Sequence, residues 1–271
     1  MLRIDTSPFR GIPTLQVELA IDFVDIVVFI IAIFYALLVI GAGELARRKL
    51  KLGPNFTRKI VHLFAGGAIW TVPFYTHPWV AVLVALIFVI VLGLATGEKV
   101  GKYFSALARP EDLEQGSVRG PFWYAVSITV ITAIFTFGNL VQFYFIGAAG
   151  IHIMMLGDGL SAPIGMKYGQ NHMYTIFGSK RSIHGCAALF IFGFLGAVMA
   201  MLFFGAIAPG ARYLAPGGQI LWTYILALSL IGAGSATLIE LFSPKGTDNV
   251  TVPFLSTAIM WLAFFSGLFF L

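Results

Sequence analysis

Between Asp25 and Glu44 the chain runs IVVFIIAIFYALLVIGAG without a charged residue, and runs of this kind recur to the C-terminus. A helix needs roughly 20 apolar residues to cross the hydrocarbon core of a bilayer. In lipid every backbone N–H and C=O must be satisfied within the chain, so the structure must be a helical bundle or a closed barrel. A barrel needs apolar and polar residues in alternation, whereas these runs are continuous and helix-length. Composition agrees: 11% of the 271 residues are charged and mean hydropathy is +0.91, where soluble domains carry about 25% charged residues. The expected fold is therefore all-α, a polytopic transmembrane helical bundle forming one integral membrane domain over 1–271. No internal repeat, low-complexity tract or second domain is visible. The first residues, MLRIDTSPFRGIPTLQVELAID, lack the apolar core of a signal peptide. The single Cys186 excludes an intramolecular disulfide and a thiolate metal site.

Eight spans are expected, near 23–43, 60–76, 78–96, 121–138, 140–157, 183–206, 219–242 and 250–271. His62 and Pro73 make the second the weakest. The net charge of +5 is no nucleic-acid signature, but its distribution is informative. Arg47, Arg48, Lys49, Lys51, Arg58, Lys59, Lys99, Lys102, Arg109, Arg119, Lys167, Lys180, Arg181 and Lys245 follow odd-numbered spans, fourteen of the 17 basic residues. Arg3, Arg10 and Arg212 fall on the other side. The positive-inside rule then makes 44–59, 97–120, 166–182 and 243–249 cytoplasmic loops. Both termini, including the segment 1–20, are expected on the non-cytoplasmic side. Within 97–120, Val100, Tyr103, Phe104 and Leu107 follow the i, i+3, i+4, i+7 spacing of an interfacial helix. A ragged end of the third span reads equally well.

Ionisable groups near a bilayer are costly, so their placement is informative. In MLGDGLSAPIGMKYG, Asp158 follows the fifth span by one residue. Glu240 lies at the same end of the seventh span, and Asp248 follows in SPKGTDNVTVP. Three carboxylates thus converge on one face. Arg58, Lys59 and His62 in RKIVH join them, with Lys180, Arg181, Ser182 and His184 in FGSKRSIHG. Carboxylates beside cations at a membrane face suit a Mg²⁺–phosphate site, because Mg²⁺ takes one or two carboxylates plus phosphate oxygens and Lys and Arg bind the remaining charge. Plainer readings stand beside this one. Each basic residue also serves as a topological anchor, Asp158 as a helix-terminal turn residue, and Glu240 as a partner of Lys245.

Gly157, Ser161, Gly165 and Gly169 recur every four residues. On a helix this stripe permits close packing against another helix, or bares backbone, together with Gly159, for a phosphate chain. Pro163 is expected to break the helix there. No G-x-x-x-x-G-K-[ST] loop, H-E-x-x-H or zinc-ligand histidine spacing occurs. His152 lies inside the fifth span, where a hydrogen bond between helices is expected, while His77 and His172 read as loop residues.

Taken in order, ELARRK…TRKIVH, GSVRGPFWY, GDGLSAPIGMKYG, GSKRSIHG and IELFSPKGTDNVTVP resemble the dolichol kinase/phytol kinase family of integral membrane lipid kinases, usually CTP-dependent. The resemblance runs from Glu44 to the C-terminus. The family is also similar to CDP-diacylglycerol synthases, but here no proline precedes Lys180 in the synthase manner, and His184 stands where many relatives carry Glu before the glycine. These departures count against cytidylyl transfer.

The resemblance implies transfer of the γ-phosphoryl group of CTP, or ATP, to the hydroxyl of dolichol, another polyprenol or phytol at the cytoplasmic face. Asp158 and Asp248 are the expected Mg²⁺ ligands, with Glu240 as a third, and one of them accepts the alcohol proton. Lys180, Arg181 and Ser182 are expected to grip the triphosphate, together with Asn249 and glycines 157, 159, 165 and 169. Arg58, Lys59 and His62 close the opposite wall, and the isoprenoid tail stays in lipid or in a groove between spans. The rivals are a CDP-lipid-forming cytidylyltransferase, a diacylglycerol kinase and, from another class, a transporter. A transporter should carry ionisable residues near mid-membrane, and here only His152 and His62 come near.

Overall fold

A computed structural model describes residues 20–95, 107, 119–137, 140–209, 222–244 and 246–266. Within them the protein is helical apart from one β-hairpin. Helix α1 (Phe23–Lys49) begins at a capping box, in which Asp22 and Asp25 each accept the other's backbone N–H at 2.9–3.1 Å. It ends on Arg47, Arg48 and Lys49, cations that suit a helix C-terminus. Helix α2 (Pro54–Ala65) starts on a proline, whose missing N–H costs nothing there. It runs into a 3₁₀ segment, Gly66–Phe74, that contains Pro73. The expected second span, 60–76, is therefore a broken helix. Helices α3 (Val80–Leu94) and α4 (Arg119–Thr136) pack on each other. Of the expected interfacial helix, Val100, Tyr103 and Phe104 lie outside the described residues, and Leu107 is buried.

The centre of the bundle is a helix running from Val141 to Tyr168, with 83% of its apolar window buried against 28% for α1. It comprises α5 (Tyr144–His152), a π-helical stretch Ile153–Asp158, and α6 (Gly159–Tyr168). Every residue of α5 is buried, as expected of a helix apolar on all sides. Two expectations are corrected here. The fifth span does not stop at 157, and Pro163 does not break the helix. Pro163 removes the hydrogen bond to the carbonyl one turn earlier, and the helix nonetheless continues to Tyr168, a loss that membrane helices tolerate. His152 is also corrected: its Nδ1 bonds Ala148 O of its own helix at 2.8 Å, and its ring stands edge-on to Trp70.

Strands β1 (Met173–Ile176) and β2 (Ser179–Ser182) form an antiparallel hairpin, Tyr174 opposite Arg181 and Thr175 opposite Lys180. The two-residue turn has φ of 46° at Phe177 and 76° at Gly178, the doubly left-handed geometry that matches strand twist. Helix α7 (Ile183–Leu202) follows, with Ser182 as N-cap accepting from Gly185 N, then α8 (Trp222–Phe242) and α9 (Asp248–Phe265). Among the described residues, five helices are long and apolar enough to cross a membrane, and Val80–Leu94 is apolar but shorter.

Candidate active site

Asp158 ends the π stretch, is 6% exposed, and lies ten residues before the end of its helix. It is therefore an anion inside a helix, not a turn residue. A buried carboxylate needs partners, and α2 supplies them. Lys59 and His62, three apart, share one face of α2. Lys59 Nζ donates to Asp158 O at 2.7 Å and stands 3.3 Å from both carboxylate oxygens. His62 Nε2 is 3.2 Å from Oδ2 and 3.1 Å from Met154 O. The charge of Arg58, also buried, reaches Asp158 as well. A Cβ on Gly120 would come within 2.9 Å of the Arg58 guanidinium, so glycine lets Arg58 lie against the start of α4. Tyr124 closes this wall, its hydroxyl donating to His62 O at 2.8 Å and its ring tilted on the imidazole.

The second wall comes from the hairpin. Strand alternation separates the neighbouring cations: Arg181 shares the face of buried Ser179, whereas Lys180 is on the other face and exposed, and Ser182 is buried as the α7 cap. Arg181 Nη1 donates to Glu240 Oε1 at 2.9 Å and Nη2 to Glu240 O at 3.0 Å. One guanidinium thus neutralises a buried carboxylate and caps the C-terminal end of α8. Tyr174 pairs with Arg181 across the hairpin, and burial pushes its phenol up to about 12, so it stays protonated at neutral pH. The charges of Asp158, Asp248 and Lys59 all reach Glu240. Asp248 opens α9 half-buried, and no cation lies within ion-pairing distance of it among the described residues. Beside it Asn249 bridges α9 to α4, Nδ2 donating to Gly120 O at 3.1 Å, while its buried Oδ1 has no partner.

The structure therefore brings together Arg58, Lys59, His62 and Asp158, and near them Arg181, Glu240, Asp248 and Asn249. It does not bring Asp158, Glu240 and Asp248 close enough to share one ion directly. Among the described residues the group within 4.8 Å is Asp22, Asp25 and His77. There Asp25 accepts from His77 N at 2.9 Å and pairs with its Nδ1 at 2.6 Å, so His77 anchors α1 to the start of α3. The glycine stripe faces α7. Added Cβ atoms would meet Leu189 O at 3.0 Å from Gly157 and Ser182 Oγ at 2.8 Å from Gly165. Gly169 also meets Ser182, while Gly159 faces His62 and Leu63. Of the two readings of that stripe, the structure displays the helix contact. Ser182 is occupied as the α7 cap, and His184 is exposed. Tyr124 was missed from sequence, because nothing in GPFWY separates it from an ordinary membrane aromatic like the two before it.

A partly open apolar cavity of about 90 Å³ lies beside this cluster, between α1, α2, the 3₁₀ segment, α3 and α4. Arg58, His62 and Tyr124 line one end of it.

The chain is 31% identical to a phytol kinase of Synechocystis sp. over 231 residues, covering 82% of this chain and 85% of that protein. It is 26% identical to a probable chloroplastic phytol kinase of Zea mays over 236 residues, 83% of this chain and 71% of that one. It is also 26% identical to a probable chloroplastic phytol kinase 2 of Glycine max over 227 residues, 83% and 70%. No family model matches the chain, and no solved structure matches it.

Proposed function

The chain belongs to the phytol kinase family, and from that premise we propose that it transfers the terminal phosphoryl group of CTP to the hydroxyl of an isoprenoid alcohol of phytol type, with Mg²⁺, at the cytoplasmic face of the membrane. One observation carries the reading: Asp158, inside an apolar helix, is held by Lys59 and His62 beside an apolar cavity. Phosphoryl transfer needs positioning and charge neutralisation more than covalent chemistry. Arg58 and Lys59 supply cations on one wall, and Arg181 supplies one on the other. Asp158, next to the polar end of the cavity, orients the alcohol hydroxyl and accepts its proton. The Mg²⁺ would be held by Asp248, with the orphaned Asn249 Oδ1 as a neighbouring oxygen donor, and would neutralise phosphate charge. A single protein carboxylate suits Mg²⁺, which takes its remaining ligands from phosphate and water.

The test is direct. Purified protein is incubated with Mg²⁺, with CTP or ATP labelled at the terminal phosphate, and with phytol, geranylgeraniol, a long polyprenol or diacylglycerol. The expected products are labelled phytyl phosphate and CDP. Pyrophosphate release with a CDP-lipid would make it a cytidylyltransferase, and labelling of diacylglycerol alone would make it a diacylglycerol kinase. No labelled lipid under any condition would overturn the reading.

A further inference from the structure

The cavity beside Arg58 has a one-ended polarity. Its other lining is apolar except for Thr71 and Thr132, and both hydroxyls are engaged. Thr71 Oγ1 donates to Ala68 O at 2.7 Å, and Thr132 Oγ1 faces Tyr144 OH at 3.4 Å. An occupant therefore meets hydrogen-bonding groups at the Arg58–His62 end and methyl groups beyond it. The cavity's length follows from its walls. It runs from Leu92 to Ala81 on α3 and from Pro121 to Thr132 on α4, eleven residues each, about 16 Å at the helical rise. Its waist is lined by Ala36, Ala65, Ala85 and Ala125. Small residues usually let membrane helices close on one another, yet here they border open space. Protein interiors contain few voids larger than a water molecule, and this one, at about 90 Å³, is several times that size and drawn out along two helices.

We propose that this cavity takes the hydrocarbon tail of the isoprenoid alcohol, and that Val72, Ala81 and Thr132 at its far end set the chain length. The inference rests on the kinase reading and adds to it the location of the tail and the residues that measure it. With the hydroxyl at the Arg58–His62 end, beside Asp158, a phytol-length chain extends toward Ala81, and a dolichol-length chain overruns the floor. The other groove, between Tyr35, Trp70, Met155 and Met199, lacks a charged end. Its Tyr35 hydroxyl is already bonded to Phe64 O at 2.8 Å.

The test compares farnesol, geranylgeraniol, phytol and a long polyprenol as substrates for the wild type, Ala81→Phe and, at mid-depth, Ala85→Phe. The wild type should prefer geranylgeraniol and phytol to the long polyprenol. Filling the floor should shift the ratio of kcat/KM toward farnesol by about tenfold or more, and Ala85→Phe should shift it further. An unchanged ratio in a variant that melts like wild type overturns the ruler. A binding arm needs no turnover: geranylgeraniol carrying a terminal diazirine is photolysed with the protein in the absence of nucleotide. Label on Ala81–Ala85 and Ile128–Thr132, displaced by phytol but not by bilayer phospholipid, supports the proposal. Label on Tyr35, Trp70 and Met199, or on the lipid-facing Ile90 and Leu94, overturns it, as does displacement by phospholipid, which would make the cavity a bilayer-lipid site. An absence of kinase activity with label at the far end would refute the kinase reading and leave the tail site standing.

Discussion

Lys59 bonds Asp158 in two ways, at 2.7 Å to its carbonyl and at 3.3 Å to its carboxylate. The shorter bond survives removal of the side-chain charge, so α2 should stay docked in Asp158→Asn. An amide cannot accept the alcohol proton, and positioned acid–base groups contribute at least about hundredfold. The variant should melt close to wild type and lose kcat by about that factor, with the KM for alcohol little moved; turnover within a few-fold of wild type would remove Asp158 from the chemistry. Arg181 behaves differently. Its guanidinium is committed to Glu240, which is 3% exposed. Truncating one partner of a buried pair strands the other charge at about 3–5 kcal/mol. Arg181→Ala should therefore melt well below wild type, and adding Glu240→Gln should recover part of the loss. If Arg181→Ala keeps the wild-type melting temperature while the KM for nucleotide rises, the guanidinium serves the triphosphate and not the helix end.

At the scale of elements, the sequence showed what long periodic runs can show. The apolar stretches at 23–43, 183–206 and 219–242 became helices close to those limits because eighteen or more apolar residues leave the backbone few alternatives. The departures lie where a few residues decide. Pro163 signals a break, but the helix runs through it to Tyr168, packed against α7. The hairpin was illegible because four-residue strands hold too little alternation and Phe177-Gly178 is not an Asn-Gly signal. That hairpin matters, since its register turns Arg181 inward and Lys180 outward, so the adjacent cations of GSKRS cannot share one role. Its turn can be tested. Gly178 has a φ of +76°, where a side chain costs about 1–2 kcal/mol and a β-branched one more. Gly178→Val should lower the melting temperature and, by displacing Arg181, the activity. Phe177→Asn, suited to positive φ, should be neutral or stabilising. Equal melting of Gly178→Val and wild type would mean that the hairpin does not hold Arg181 in place.

For the whole molecule, the gathering of charge was legible because it needs only the count of basic residues on alternate connections, whereas the cavity, an outcome of how α1, α3 and α4 pack, was not. Helix α1 links the two faces. Its N-terminal end carries Asp22 and Asp25 with His77, and its C-terminal end carries Arg47, Arg48 and Lys49. Its 27 residues span about 40 Å at the helical rise, more than the roughly 30 Å of hydrocarbon. The Asp25–His77 tie lies at the N-terminal end of α1, and the Asp158 cluster lies against α2, which follows the C-terminal end of α1. The Ala81 end of the cavity lies toward the first of them, and its polar end toward the second. On the proposed reading, the excess of Lys and Arg on the Asp158 side would assign that side to the cytoplasm, where a water-soluble nucleotide is made available. Cysteine labelling checks this in a Cys186→Ser background, which removes the only native thiol. Single cysteines at Leu52 and Pro244 should react with a membrane-impermeant maleimide only after the cells are opened. A cysteine at the exposed Thr76, next to His77 but outside its tie to Asp25, should react in intact cells. The reverse pattern would put Asp158, Arg181 and Asp248 on the outer surface, away from cytoplasmic nucleotide, and the kinase reading would fail with it.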